Sequence, residues 1–161
     1  VLAQGYPNLE YIVLDGGSTD ESPAIIERHA DRLAWWRSAP DGGHYAAVTE
    51  GFARASGDIL TWINADDELW PWSLALAGLA FASLPHVEWL AGRRNHIDAD
   101  DALVGVTPEF PDWNHARYAR RDAPSAIQQE GTFWRRALWD RSGAYVGGEW
   151  TLAGDYDLWL R

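Results

Sequence analysis

The 161-residue chain contains no cysteine, no methionine and no lysine, so all thirteen of its basic residues are arginine. Without cysteine there are no disulfides, no zinc fingers, no iron–sulfur clusters and no thiol nucleophile. Positive charge is also scarce. Twenty-four acidic residues against thirteen basic ones give a formal net charge of −11, so the chain has no general attraction for nucleic acid or anionic headgroups. An acidic protein that handles a phosphorylated ligand needs a metal ion or a local arginine cluster to bring it in. No apolar run approaches the ~18–20 residues that span a bilayer. With no initiating methionine, Val1 reads as lying inside a longer protein.

What is present is ordinary globular composition, 47% hydrophobic and 23% charged. That excludes a disordered or low-complexity segment. The length suits one domain, and no repeat or linker divides it, so a single domain over 1–161 is expected. Leu9 to Asp15 reads as a buried strand that ends in Asp15-Gly16-Gly17, a tight turn. Ser18 to Pro23 carries helix-start signals, and Ile25, Ile26, His29 and Leu33 continue one face. A second strand is expected at Leu33 to Arg37. A helix with Tyr45, Val48, Phe52 and Ala55 follows Asp41-Gly42-Gly43, and Asp58 to Ile63 is the clearest strand. Further on, the pattern predicts a helix over 72–84, a strand over 87–91 and a hairpin within 93–106. A short strand over 132–134 and helices over 136–142 and 155–161 complete it. Strands alternating with helices argue for an α/β domain with a mostly parallel sheet.

In such sheets ligands bind beyond the carboxyl ends of the strands. Two acidic clusters fall there: Asp15 with Asp20, and Asp66-Asp67 after the strand ending at Ile63. Carboxylates at strand ends can hold a hard cation that bridges diphosphate oxygens, although Asp and Asn are also good turn formers. The five histidines share no ligand spacing, and no zinc site is expected. The pairs Arg93-Arg94 and Arg120-Arg121 read as solvated faces. Of the eleven tryptophans, those at 35, 36, 62 and 89 fall on predicted strands and belong to the core. Those at 70, 72, 113, 134 and 150 lie nearer the strand ends, where indole faces can stack on sugars.

The ordered set Gln4 to Asp20, Asp41-Gly42-Gly43, Ala55 to Asp58 and Trp62-Ile63-Asn64-Ala65-Asp66-Asp67 resembles the opening of a family 2 glycosyltransferase. Gln129 to Arg136 resembles that family's acceptor-side segment, and Gly154 to Arg161 its catalytic-base motif. The resemblance implies a GT-A fold, a Rossmann-like sandwich whose central sheet is mostly parallel. The nucleotide-sugar part would cover about 1–92 and the acceptor part about 93–161. It implies transfer of a sugar, with inversion, from a nucleoside-diphosphate sugar to a hydroxyl of a glycan or lipid-linked saccharide.

By family position, Asp155 is the general base. Asp15, Asp20, Asp41 and Asp66 contact the nucleotide sugar. Asp66, Asp67 and Asn64 hold Mn²⁺ or Mg²⁺, and Gln129, Glu130 and Trp134 line the acceptor site. Nucleic acid is not an expected partner. The expected location is cytoplasmic, at the inner membrane face where other parts of the parent protein supply the contact.

The chain departs from the family pattern at Asn64, where the triplet usually begins with Asp, and at Ala46, Thr49, Glu50 and Gly154. Family members begin with a strand and a helix before the Gln-x-Tyr-Pro segment, and Val1 falls within that helix. The 161-residue chain alone is therefore expected to be inactive or weakly stable, because the neighbouring strands lose a partner. Three rivals stand beside this reading: a sugar nucleotidyltransferase, a Trp-rich carbohydrate-binding module (usually all-β), and a catalytically silent glycosyltransferase-like scaffold.

Overall fold

A computed structural model describes residues 1–106, 114–120, 127–147 and 153–161. The chain forms two compact units. The first comprises Val1–Leu60, Arg135–Trp159 and Arg161; the second comprises Thr61–Trp134 and Leu160.

The first unit carries the parallel α/β pattern. Strand β1 (Ile12–Asp15) pairs in parallel with β2 (Trp35–Ser38), Ile12 opposite Trp35 and Asp15 opposite Ser38. Helix α1 (Ser22–Arg28) connects them, with Pro23 in its first turn, where a missing N–H costs nothing. Helix α2 (His44–Arg54) begins after Gly43 and packs on β1; Leu14 Cδ1 lies 3.1 Å from where a Cβ on Gly51 would sit. Phe52 of α2 is buried against Trp139 of α5 (Arg136–Arg141), their ring centres 4.8 Å apart. Helix α6 (Gly154–Leu160) buries Leu158. Its Asp157 pairs with Arg161 at 3.1 Å, the i,i+4 ion pair that the sequence spacing allows.

Glu10, just before β1, receives the backbone N–H groups of Ser56 and Gly57 at 2.7 and 3.0 Å. Burial alone would raise its carboxyl, but these bonds, the Ser56 hydroxyl and the Arg136 charge outweigh burial and hold it below its usual range. The chain turn before β3 (Ile59–Leu60) is thereby tied to the segment that enters β1.

In the second unit, helix α3 (Ser73–Ser83) buries Leu74, Ala77 and Phe81, the i, i+3, i+7 spacing of one helix face. Strand β4 (Trp89–Ala91) runs antiparallel to β7 (Thr132–Arg135), with Leu90 opposite Phe133. The hairpin expected within 93–106 is formed by β5 (Asn95–Ile97) and β6 (Leu103–Val106), with a register shift between His96 and Ile97. Helix α4 (His115–Ala119), which the sequence pattern did not predict, starts at Asn114, whose side chain accepts the Arg117 N–H at 2.9 Å. Six α-helices among the described residues exclude an all-β carbohydrate-binding module. No helix of the described residues is long and apolar enough to cross a membrane.

The strand expected over 58–63 is shorter than its sequence suggests. Beyond Leu60, side chains take over the backbone pairing: the Thr61 hydroxyl donates to the Thr132 carbonyl at 2.8 Å, and the Gln129 amide donates to the Trp62 carbonyl. A buried carbonyl must find a donor, and here it is an amide side chain.

Candidate active site

In the first unit the candidate residues lie at the end of β1, in the turns after β1 and β2, and in the first turn of α6. Asp15 ends β1, and its Oδ2 accepts from Gly17 N at 3.1 Å, Ser18 N at 3.0 Å and the Ser38 hydroxyl at 2.7 Å. The Ser18 hydroxyl donates to Oδ1. The hydrogen bonds from the two serine hydroxyls, with those from the backbone, pull the Asp15 carboxyl down to about 2. It is therefore an acceptor throughout the physiological range, and most of its capacity is spent on its own loop. The bond to Ser38 joins the ends of the two parallel strands. Local sequence reading misses this partner, because Ser38 is a neighbour only through strand register.

Gly17 completes the turn. Its φ is +90°, and a Cβ there would lie 2.9 Å from Pro40 N, so no other residue fits without displacing the chain. Asp20 lies exposed just before α1, and its Oδ1 accepts the Ser22 N–H at 2.9 Å, a bond that lowers its carboxyl. Asp41 carries the turn after β2: it accepts from Gly43 N at 2.7 Å and lies 3.9 Å from Arg37. The Arg37 guanidinium also holds Glu50 at 2.9 Å, which Arg54 approaches from the other side at 3.1 Å. The Thr49 hydroxyl accepts the Val146 N–H at 3.0 Å. Two positions where this chain departs from the family pattern are thus used in internal contacts.

Asp155 stands in the first turn of α6, partly exposed. The Tyr45 hydroxyl donates to its Oδ1 at 3.2 Å. The sequence marks Tyr45 only as one position of a helix face; its contact with Asp155, 110 positions away, comes from the fold.

In the second unit the segment after β3 forms a turn closed by Asp67 N to Asn64 O at 3.3 Å. Asn64 Nδ2 donates both to Asp67 Oδ2 at 3.0 Å and to Gln129 Oε1 at 3.1 Å. Those two bonds fix the amide's orientation, and they leave Asn64 Oδ1 buried with no hydrogen-bond partner. Asp66 projects into solvent. Gln129 is only 8% exposed, with its amide spent on Trp62 O and Asn64. Trp134 is buried, its indole edge-on to Trp62 at 5.5 Å. Glu130 is partly exposed in the 3₁₀ turn before β7.

Among the described residues, no three His, Cys, Asp or Glu side chains converge into a group able to hold a metal ion. The donors that the turn does offer are all oxygens: two carboxylates and one unpartnered buried amide oxygen. That chemistry fits Mg²⁺ or Mn²⁺ rather than a softer metal.

Comparison with known proteins bears on what these residues serve. The model of glycosyl transferase family 2 matches residues 1–82. An uncharacterized glycosyltransferase of Nostoc sp. is 35% identical over 142 residues, which is 83% of this chain and 41% of that protein. An uncharacterized glycosyltransferase of Mycobacterium tuberculosis is 44% identical over 68 residues, 42% of this chain and 26% of that protein. The O-antigen biosynthesis protein RfbC of Myxococcus xanthus is 32% identical over 119 residues, 71% of this chain and 9% of that protein. Among solved structures, residues 1–349 of S. aureus TarS in complex with UDP match with a TM-score of 0.72 at 20% identity. The match covers 96% of this chain and 46% of that one. At that identity the likeness is one of fold, the GT-A-type α/β architecture. The chain spans less than half the length of each of these relatives.

Proposed function

Because the chain belongs to glycosyl transferase family 2, we propose that it is the catalytic part of an inverting, cation-assisted glycosyltransferase. Its donor is a nucleoside-diphosphate sugar, and its acceptor is a hydroxyl of a growing glycan or lipid-linked saccharide. The observation that carries this reading is the position of the family-matched acids. Asp15 ends β1, and the Asn64–Asp67 turn follows β3, where α/β sheets bind their ligands. The UDP bound to TarS supports the donor class, and the O-antigen role of RfbC supports a polysaccharide product. Residues 1–161 act as one domain in this reading, with donor-side residues about 1–92 and acceptor-side residues about 93–161.

The chemistry assigns a task to each group. An acceptor hydroxyl is a weak nucleophile, so Asp155 takes its proton as the new C–O bond forms at the anomeric carbon. The bond to the diphosphate breaks on the opposite face, and its electron pair leaves with the nucleoside diphosphate. Asp66, Asp67 and Asn64 Oδ1 would hold the divalent ion, which supplies charge neutralisation for that leaving group. Asp15, with Asp20 and Asp41 on the neighbouring turns, shapes the loop that meets the nucleotide. Gln129 holds the Asn64 amide in its orientation; of the acceptor-side residues Glu130 has exposed surface to offer, while Trp134 lies buried against Trp62.

The test is turnover of a panel of UDP-, dTDP- and GDP-sugars by the full-length protein with Mn²⁺ or Mg²⁺, read as release of nucleoside diphosphate. Asp155→Asn should lower the rate by about 10²–10⁴-fold, the range typical of a lost general base. Turnover indifferent to that substitution would remove Asp155 as base, and equal rates in excess EDTA would remove the cation.

A further inference from the structure

Residue 154, directly before the proposed base, is a glycine, one of the positions at which this chain departs from the family pattern. The structure gives a steric reason. A Cβ built on Gly154 would lie 2.7 to 2.8 Å from Cδ2, Cε2 and Cγ of the Tyr45 ring, well inside van der Waals contact. Gly154 is buried, and the aromatic ring occupies the space that a side chain would need. The same ring places its hydroxyl 3.2 Å from Asp155 Oδ1. Tyr45 sits in the first turn of α2, and its own backbone is anchored there by the helix, so the phenol is held from one side and the α6 backbone from the other.

We propose that Tyr45 is a positioning residue for Asp155. Its ring seats against Gly154, and its hydroxyl donates to one carboxylate oxygen, which leaves the other directed to the acceptor hydroxyl. This rests on the reading of Asp155 as the general base and deepens it. A carboxylate with one oxygen tethered loses rotational freedom about its last side-chain bond, and a base held in a productive orientation pays less at the transition state. The phenol, as donor, binds the ionised carboxylate, the form that accepts a proton. Burial and then the Asp155 charge raise the Tyr45 phenol above its usual range, against the lowering effect of the Asp155 and Gly154 backbone N–H groups on the phenol oxygen. The His44 ring also faces Tyr45, edge-on at 4.9 Å.

The experiment compares Tyr45→Phe, Asp155→Asn and the double variant in the full-length protein, using the same sugar-nucleotide panel and NMR titration of ring-labelled tyrosine. Phenylalanine keeps the ring against Gly154 and removes only the hydroxyl. Its kcat should fall about tenfold, the worth of one hydrogen bond to a charged group, with the donor KM unchanged. In the Asp155→Asn background the same change should cost nothing further. The Tyr45 phenol, identified by its loss in Tyr45→Phe, should titrate at lower pH once Asp155 is neutralised.

Other outcomes overturn the proposal. If Asp155→Asn abolishes turnover while Tyr45→Phe leaves kcat intact, the positioning role falls and the base assignment stands. If turnover survives Asp155→Asn, the base assignment falls and takes the positioning role with it. An equal loss from Tyr45→Phe in both backgrounds would mark a merely structural residue. A phenol titration that ignores Asp155→Asn would show that the contact does not exist in solution.

Discussion

Removing the Asp15 carboxylate should loosen the first unit by an amount set by the hydrogen bonds it accepts. Four donors converge on it: Gly17 N, Ser18 N, and the hydroxyls of Ser18 and Ser38. The two from Ser18 are exposed, so water replaces the carboxylate at little cost once it is gone. The bonds from Gly17 and Ser38 are partly buried and replaced less easily. At about 1–1.5 kcal/mol for each of these two, Asp15→Ala should cost about 2–3 kcal/mol at pH 7. Asp15→Asn keeps one acceptor oxygen and should cost about 1 kcal/mol.

The pH dependence has a definite sign. The folded carboxyl lies at about 2, below its ordinary 3.8, so its contribution is present above pH 4 and is lost as pH falls from there toward 2. Urea denaturation followed by far-ultraviolet circular dichroism and tryptophan fluorescence, at pH 7 and pH 3.5, reads both quantities. The gap between wild type and Asp15→Ala should be narrower at the lower pH. Equal midpoints at pH 7, or a gap that widens on acidification, would refute the claim that this carboxylate staples the turn to β2.

Three further expectations follow from packing and donor chemistry. Phe52→Ala removes a buried ring from Trp139 and should cost about 3–5 kcal/mol in urea denaturation, with a change in tryptophan emission. Gly17→Ala places a methyl 2.9 Å from Pro40 N at a positive φ and should cost about 1–3 kcal/mol, visible as a lower thermal midpoint. Asn64→Ala removes the unpartnered amide oxygen and frees Gln129 and Asp67. In the full-length protein, the Mn²⁺ concentration for half-maximal turnover should rise several-fold, more than for Glu68→Ala, an exposed acid in the same stretch.

Much of the architecture is legible in local pattern because the forces that set it are local. The β-branched run before Asp15-Gly16-Gly17, the Pro near the start of α1 and the turn residues of the 93–106 hairpin each restrict the backbone within a few positions. The motifs that carry the family resemblance likewise mark Asp15, the Asn64–Asp67 turn and Asp155 as candidates, in order along the chain. Helix α4 is not legible in the sequence because its five residues are too few to display a period, and the Asn114 cap is its main local signal.

Other features depend on residues that meet only after folding. The mostly apolar, partly β-branched run over 58–63 looks like one long strand, yet Thr61 and Trp62 satisfy their polar groups through Thr132 and Gln129, some 70 positions away. By family position Gln129 is expected to line the acceptor site; in the fold it is buried, its amide donating to the Trp62 carbonyl. Tyr45 reads as one apolar position on a helix, and Gly154 as a mere departure from pattern. Their fit, a ring filling the place of a missing side chain beside a carboxylate, comes from bringing α2 against α6. The motifs therefore carried the resemblance to the family and the order of the candidate acids along the chain. The partners that hold those acids were chosen by packing, because a hydrogen bond needs two groups within about 3 Å, and spacing in sequence carries no such distance.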